Sequence, residues 1–364
     1  MQTAKKWSIG VLIIVAVMLV LLGGLVAVID PFFHYHKPLP FLEYPMFASM
    51  QRYQTDGIVK HFDYDAIIAG SSITENFRAS ELDALFDVST VKVSMSGSSF
   101  KETCDLLRRA ARANPDLRIV VRSLDMNYLL MDIDYVMNNS QPDYLYDMNL
   151  MNDVRYLLNN TVLLDQVLPV LTYTYTGGKT PDFDEYSSWW KEYTFSRESA
   201  LKGFVREARQ EQMAPFTPEM ERDVRDNMIQ NFVSLALEYP DIQFYCFYPP
   251  YSAIWWDNVR QMGNLDKYIL AMETAADTLL ECDNIHLFSF ADDYDTVLNL
   301  DKYKDYIHYS PDINSKILRC MKDGTGRLTR QNNAAYWQNL RGFMIDFDFA
   351  TYLAEQGYTG PMGG

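Results

Sequence analysis

A serine-containing turn and a late histidine motif are the residues of this chain best suited to nucleophilic chemistry. Residues 69–74 read Ala-Gly-Ser-Ser-Ile-Thr and follow an apolar run, and Asp305-Tyr-Ile-His308 stands far downstream. A serine hydroxyl becomes a good nucleophile only when a neighbouring base takes its proton. We therefore predict Ser72 as nucleophile, His308 as its base and Asp305 as the acid that orients the imidazole.

The oxyanion that forms during such an attack needs hydrogen-bond donors. Ser72, predicted at the start of a helix, supplies its own backbone N–H at an end that favours negative charge. Gly97, in Ser94-Met-Ser-Gly-Ser-Ser99, is the predicted second donor, because without a side chain its N–H can lie close to the substrate. This chemistry requires no cofactor and no metal.

Each motif also has a structural interpretation. Serine is a common helix N-cap, so Ser71 and Ser72 fit a capping role equally well. An Asp-x-x-His sequence arises easily by chance. The catalytic interpretation depends on the order of the two motifs and on their placement at the ends of predicted strands.

Short apolar strands alternate with helical patterns and would position these residues. The predicted strands are 65–70, 90–95, 117–125, 242–248 and 285–289, and the predicted helices lie near 79–86, 99–113, 217–238 and 263–281. Such alternation predicts an α/β fold, a three-layer doubly wound parallel sheet with helices on both faces. Sites in these folds lie at the carboxyl ends of the strands, where Ser72, Gly97, Asp125 and residues 248–252 fall.

The third and fourth predicted strands are separated by an insertion at 126–216. An insertion at a strand end is typical of a lid or a binding wall. The tryptophans of this region and of the segment after the fourth strand, namely Trp189, Trp190, Trp255 and Trp256, fit either packing or the stacking of sugar rings. The predicted domains are an anchor at 1–30, a juxtamembrane linker at 31–60, a catalytic domain at 61–325 and a helical tail at 326–364.

The anchor is predicted from residues 9–29, which contain no charge. About 20 apolar residues span the hydrocarbon of a bilayer, whereas the core of a signal peptide has about 7–15. Lys5 and Lys6 precede the run and Asp30 follows it. By the positive-inside tendency, we expect a single-pass protein of the cell membrane, with its N-terminus in the cytoplasm and everything after Asp30 outside.

The charge of the chain excludes one class of partner. The formal net charge is −16, and the only charges before Asp30 are two lysines, so the remainder carries −18. So acidic a domain repels nucleic acid, and a nucleic-acid role is excluded. The four cysteines are widely spaced, without a Cys-x-x-Cys. A pair between Cys282 and Cys320 stays open, and Cys246 is expected to be a buried thiol.

The motifs and their order resemble the SGNH/GDSL hydrolase superfamily. Gly70-Ser71-Ser72 stands for the first block, Gly-Asp-Ser, and Asp305 with His308 stands for the fifth, Asp-x-x-His. The resemblance implies that Gly97 is the oxyanion glycine of the second block. The third block, Gly-x-Asn, is not matched. Ser123-Leu-Asp125 stands there, so Asn127, two residues on, is the candidate for the third donor.

Gly-Ser-Ser on a tethered domain, with Phe247-Tyr-Pro-Pro-Tyr-Ser252, is similar to the D-alanyl transfer proteins of lipoteichoic acid synthesis and related surface-polymer O-acyltransferases. That resemblance implies a serine acyltransferase or esterase acting on acetyl or D-alanyl groups of a cell-surface polymer. It also implies a multi-pass membrane-bound O-acyltransferase as acyl donor. Transfer is favoured over hydrolysis. The alternative is a non-catalytic glycan-binding or scaffold subunit of such an acylation complex.

Overall fold

Five short apolar strands form one parallel sheet in a computed structural model that describes residues 2–137, 142–147, 149–210 and 212–361. The strands are β1 (Ala66–Ala69), β2 (Thr90–Lys92), β3 (Ile119–Ser123), β4 (Gln243–Tyr248) and β5 (Ile285–Ser289). Their order in the sheet is β2-β1-β3-β4-β5, and every pairing is parallel. The α/β class and the five predicted strands are confirmed.

Helices precede, connect and follow the strands along the chain. The helices are α1 (Gln2–Ile29), α2 (Gln51–His61), α3 (Ala79–Phe86), α4 (Phe100–Ala113), α5 (Val154–Leu157), α6 (Asn160–Val162), α7 (Leu168–Tyr175), α8 (Arg197–Leu201), α9 (Pro218–Met228), α10 (Ser234–Glu238), α11 (Ala253–Gln261), α12 (Leu265–Leu279), α13 (Tyr294–Val297), α14 (Pro311–Asp323), α15 (Asn333–Asp346) and α16 (Phe349–Glu355). Single π-helical turns at Leu163–Val167 and Ile229–Val233 join α6 to α7 and α9 to α10.

The chain divides into two compact units. Unit 1 comprises Met1–Asp63 and Asn139–Asp182, and unit 2 comprises Tyr64–Asn138 and Phe183–Gly364. This division differs from the predicted one, because the linker at 31–60 contains α2 and the insertion at 126–216 is shared between the units. Residues 138–141, 148 and 211 of that insertion, and the last three residues of the predicted tail, lie outside the described residues.

In unit 1, α1 is long and apolar enough to cross a membrane, because an 18-residue stretch within Ala4–Ile29 has a mean hydropathy of 3.2. The helix ends at Asp30, which has a positive φ of 46°. The Asp30 carboxylate accepts hydrogen bonds from the backbone N–H of His34 at 3.0 Å and Tyr35 at 2.7 Å, and from the Tyr156 hydroxyl at 2.8 Å. These bonds turn the chain sharply at the point where the apolar helix stops.

In unit 2, the sheet is buried on both faces, as expected of a parallel sheet covered by helices. All four residues of β1 are buried, and so are the last four of β3. Helix α4 begins with a capping box between Ser99 and Glu102, which fixes the chain direction just after Gly97. All four cysteines are free thiols. The pair left open between Cys282 and Cys320 is therefore not formed.

Candidate active site

Ser72 lies in a tight turn at the carboxyl end of β1. Gly70 has a φ of 146°, a conformation that L side chains rarely adopt, and an added Cβ would meet Ser123 Oγ at 2.6 Å. Ser71 then caps a 3₁₀ turn that begins at Ser72 and ends at Thr74. In this turn Ser71 is buried and Ser72 is only half-buried.

Ser72, His308 and Asp305 form one chain of hydrogen bonds. Ser72 Oγ lies 2.8 Å from His308 Nε2, and His308 Nδ1 lies 2.8 Å from Asp305 Oδ2. When the ring proton is on Nδ1, this N–H donates a hydrogen bond to the Asp305 carboxylate. Nε2 then presents a lone pair to the serine hydroxyl. This arrangement suits a nucleophile, a base and an orienting acid.

A short loop holds the histidine and its acid in place. Tyr303 and Tyr309 pair as an antiparallel bridge at its base. Asp305 Oδ1 accepts the backbone N–H groups of Ile307 and His308, both at 2.8 Å, while Oδ2 accepts from the ring. Burial alone would raise the pKa of Asp305, but these hydrogen bonds and the charge of His308 outweigh it and lower the pKa below its ordinary value. The acid is therefore ionised at neutral pH.

Asp125, at the position of the unmatched third block, has all of its hydrogen bonds directed into the protein. Its carboxylate accepts from the hydroxyl groups of Tyr251 and Ser71 (the latter at 3.1 Å) and from the backbone N–H of Asn127 at 3.1 Å. Burial raises the pKa of Asp125, and the three hydrogen bonds and the charge of His308 oppose that rise. Asp125 therefore positions Ser71, the residue before Ser72.

The three predicted oxyanion donors differ in the hydrogen bonds that they make. Within the described part of the chain, the backbone N–H groups of Ser72 and Gly97 donate no hydrogen bond. Gly97 has a φ of 65°, and its carbonyl accepts from the Tyr128 hydroxyl at 3.1 Å, which holds the loop after β2. The Asn127 side chain accepts from the Trp255 indole at 3.3 Å. The oxyanion role of all three residues stays a prediction.

Trp189, from the insertion, forms a wall beside the histidine. Its ring meets the His308 ring edge-on, with centroids 5.4 Å apart, and its indole N–H points to the Ser72 carbonyl at 3.4 Å. Lys304 Nζ lies 4.1 Å from the Trp189 ring centroid and 3.8 Å from that of Tyr193. Burial lowers the pKa of Lys304, an effect that nearby carboxylates oppose. Trp255 and Trp256 are instead buried, so for them the packing interpretation holds.

Sequence reasoning did not place Trp189 or Lys304 beside His308. The place of the insertion at a strand end predicted a lid or a wall, and Trp189 fitted either packing or stacking, but no local pattern linked Trp189 to a histidine more than a hundred residues later. Lys304 directly precedes Asp305, and that adjacency is the signal in the sequence that could have found it. The Trp189 ring and the Lys304 ammonium group therefore lie together beside His308 and Ser72.

Comparison with known proteins adds no family to these observations. A scan against models of protein families found no match, and a search of curated proteins found no match either.

Proposed function

We propose that the protein is a membrane-anchored serine acyltransferase or esterase of the SGNH type, acting outside the cytoplasm on O-acyl groups of a cell-surface polymer. The single observation that carries the proposal is the continuous chain of hydrogen bonds from Ser72 through His308 to Asp305. The strand order 2-1-3-4-5 supports the finer fold assignment, because it is an order of doubly wound, flavodoxin-like sheets.

The position of the nucleophile in the sheet supports the same proposal. The chain leaves β1 for β2 on one side and returns to β3 on the other, so the strand order reverses around β1. Open α/β sheets bind ligands at such a reversal, outside the carboxyl ends of the strands. Ser72 stands three residues after the last residue of β1, at that edge.

In the proposed reaction, Ser72 Oγ attacks the acyl carbonyl carbon while His308 Nε2 takes the hydroxyl proton. Asp305 stabilises the imidazolium that results. The N–H groups of Ser72 and Gly97 are the proposed donors to the oxyanion. Collapse of the tetrahedral intermediate breaks the bond to the leaving oxygen, which takes the proton from His308. A hydroxyl group of the acceptor then attacks the acyl-serine and gives its proton to His308. The second tetrahedral intermediate collapses with cleavage of the bond between the acyl carbon and Ser72 Oγ, which takes the proton back from His308, and the acceptor leaves with the acyl group.

Transfer and hydrolysis differ only in whether a polymer hydroxyl or water attacks the acyl-serine. The proposed acceptor is a teichoic acid or polysaccharide, and the proposed donor system is a multi-pass membrane-bound O-acyltransferase that passes an acetyl or D-alanyl group across the bilayer. The apolar helix α1 supports the membrane setting, and Lys5 and Lys6 favour a cytoplasmic N-terminus. The Trp189 wall offers a surface on which an alditol or sugar ring can pack.

A fluorophosphonate probe on the full-length protein in detergent tests the nucleophile. The wild type should be labelled at Ser72, as mapped on the modified peptide, and Ser72→Ala should lose labelling. Ser71→Ala is the matched control, because the Ser71 hydroxyl donates to Asp125 and not to His308. Its labelling should persist. A wild type that stays unlabelled, with surface acylation intact in a His308→Ala strain, overturns the catalytic proposal in favour of a scaffold subunit.

A second measurement separates transferase from esterase. The acyl-protein formed with a small acetyl or D-alanyl ester is mixed with water alone or with a soluble polyol phosphate, and free acid and acylated acceptor are quantified. Acyl transfer to the polyol phosphate that is faster than release of the free acid supports a transferase. Rapid release of free acid, unaffected by the acceptor, assigns an esterase.

A further inference from the structure

Residues 149–175 of unit 1 form an exposed apolar segment that includes α5, α6, the first π-helical turn and α7. From Tyr156 to Tyr175, its only charged residue is Asp165. Two of its apolar side chains are almost fully exposed, Met151 at 85% and Tyr175 at 91%. The other exposed apolar side chains of the segment are Leu150, Val154, Leu158, Leu164 and Leu168. Exposed apolar side chains grouped in one segment mark an interaction site, although exposed polar residues, among them Arg155 and Asp165, lie between them.

The apolar segment packs against the membrane-compatible helix. Both α5 and the π-helical turn at Leu163–Val167 contact α1. A Cβ added to Gly23 of α1 would lie 3.4 Å from Leu158 Cδ2 and 3.6 Å from Leu157 Cβ. The glycine thus lets the segment approach the axis of α1 closely, as small residues do at contacts between helices in membranes.

The position of this contact along α1 sets a depth. Gly23 precedes Ile29, the last residue before Asp30, by six residues. At 1.5 Å per residue, this is about 9 Å along the helix axis. With the boundary of the hydrocarbon at the charged end of α1, Leu158 therefore lies about 9 Å inside it. Interfacial helices bury their apolar face by about 5–10 Å, so the depth matches a helix that lies in one leaflet.

We propose that the apolar segment is a second membrane contact, an interfacial helix in the leaflet that holds the C-terminal end of α1. The occupant of its exposed face is lipid. Three observations support lipid over water or a soluble partner. The segment contacts α1 within its apolar part, before the charged end at Asp30, and it has a single charge between Tyr156 and Tyr175. Its backbone is also largely helical, so that its own polar groups pair with each other. Tyr173 and Tyr175 at the end of α7 suit the headgroup region.

The consequence concerns the orientation of unit 1. A single spanning helix leaves a domain free to tilt relative to the membrane plane. A second contact that packs on the same helix fixes which side of unit 1 faces the bilayer. The inference does not depend on the proposed catalytic function, because it rests on unit 1 alone.

Spin labels on the full-length protein in phosphatidylcholine–phosphatidylglycerol vesicles test the proposal. Cys320, which is only half-buried, is first changed to Ser, and the other three cysteines are buried. Single cysteines then replace Leu164 and Leu168 in the segment, with Val20 of α1 and Leu237 of α10 as controls. Leu237 is the matched control, because it is an exposed helical leucine of unit 2, with 69% of its surface accessible.

Collision rates with oxygen, which enters lipid, and with a water-soluble nickel chelate report the surroundings of each label. Labels at 164 and 168 should collide with oxygen and be protected from nickel, at a depth of about 5–10 Å. The label at 20 should be protected from nickel still more, and the label at 237 should be open to it. Nickel access at 164 and 168 equal to that at 237 overturns the proposal. Protection from both reagents also overturns it, since it shows a protein partner or second copy on this face, and so does nickel access at 20.

Discussion

Asparagine resembles aspartate more closely than alanine does, yet we expect Asp305→Asn to lower turnover more than Asp305→Ala. Asp305→Ala removes the charged acceptor of the His308 Nδ1–H. A hydrogen bond to a charged group contributes about 1.5–3 kcal/mol. Each 1.36 kcal/mol of barrier is about tenfold in rate, so turnover should fall by about 10- to 150-fold. The Asp305 side chain is 38% exposed, so water can replace part of the lost bond, and we expect the lower end.

Asp305→Asn should be worse than Asp305→Ala. Two backbone N–H groups, those of Ile307 and His308, point at the Oδ1 position. They hold the amide oxygen there and turn the amide NH₂ toward His308 Nδ1. A donor at that place forces Nδ1 to accept, so the ring proton moves to Nε2, which can no longer take the proton of Ser72. In a Ser-His-Asp site this change of tautomer lowers turnover by about 10⁴-fold.

The assay is hydrolysis of a chromogenic acetyl ester by the full-length protein in detergent, with the rate of fluorophosphonate labelling as a second readout. Asp301→Asn is the control, because Asp301 is an exposed carboxylate that pairs with Arg197 outside the triad. Its rate should match the wild type. An Asp305→Asn variant as active as Asp305→Ala, or more active, would refute the tautomer argument.

Three further substitutions test the surroundings of the nucleophile. Asp125→Asn should raise the melting temperature at mildly alkaline pH, because burial raises the pKa of this carboxyl and its ionised form is costly in the folded state; the gain over wild type should shrink as pH falls toward the ordinary value of about 3.9. Gly70→Ala should cost about 1–3 kcal/mol of stability in thermal or denaturant unfolding and abolish labelling, since its Cβ would meet Ser123. A soluble, fully labelled variant would contradict the predicted turn. Trp189→Phe should keep most activity and Trp189→Ala should lose it with a raised KM, because the ring against His308 matters more than the weak indole bond; equal kcat and KM in all three proteins would exclude the wall.

Much of the fold was readable from local patterns. The five strands appear as short apolar runs, and the structure begins and ends each within a few residues of the predicted bounds. The apolar helix α1 is equally plain, since length and absence of charge are properties of one continuous segment. The spacing of Asp305 and His308 places acid and base on one short loop, so their pairing also follows from residues that are near in sequence.

The sequence predicted less well how the insertion at 126–216 is used. A long insertion at a strand end is typical of a wall or lid, yet this one contributes Asn139–Asp182 to unit 1 and the rest to unit 2. Whether an apolar helical stretch covers a site or packs on the membrane-compatible helix depends on a close approach such as that of Leu158 to Gly23. No periodicity within the insertion encodes that approach.

By itself the sequence determined the α/β class, a membrane-compatible helix and the types of residue needed for nucleophilic chemistry, because each depends on neighbours within one strand, helix or turn. Only the tertiary structure decided that Ser72, the serine predicted from the sequence, meets the histidine. The turn at Gly70 directs Ser71 inward to Asp125 and Ser72 outward to His308, 236 residues later. The tertiary structure alone also decided that Trp189 lies beside that histidine. Contacts between residues so far apart are set by packing, and packing depends on the whole chain.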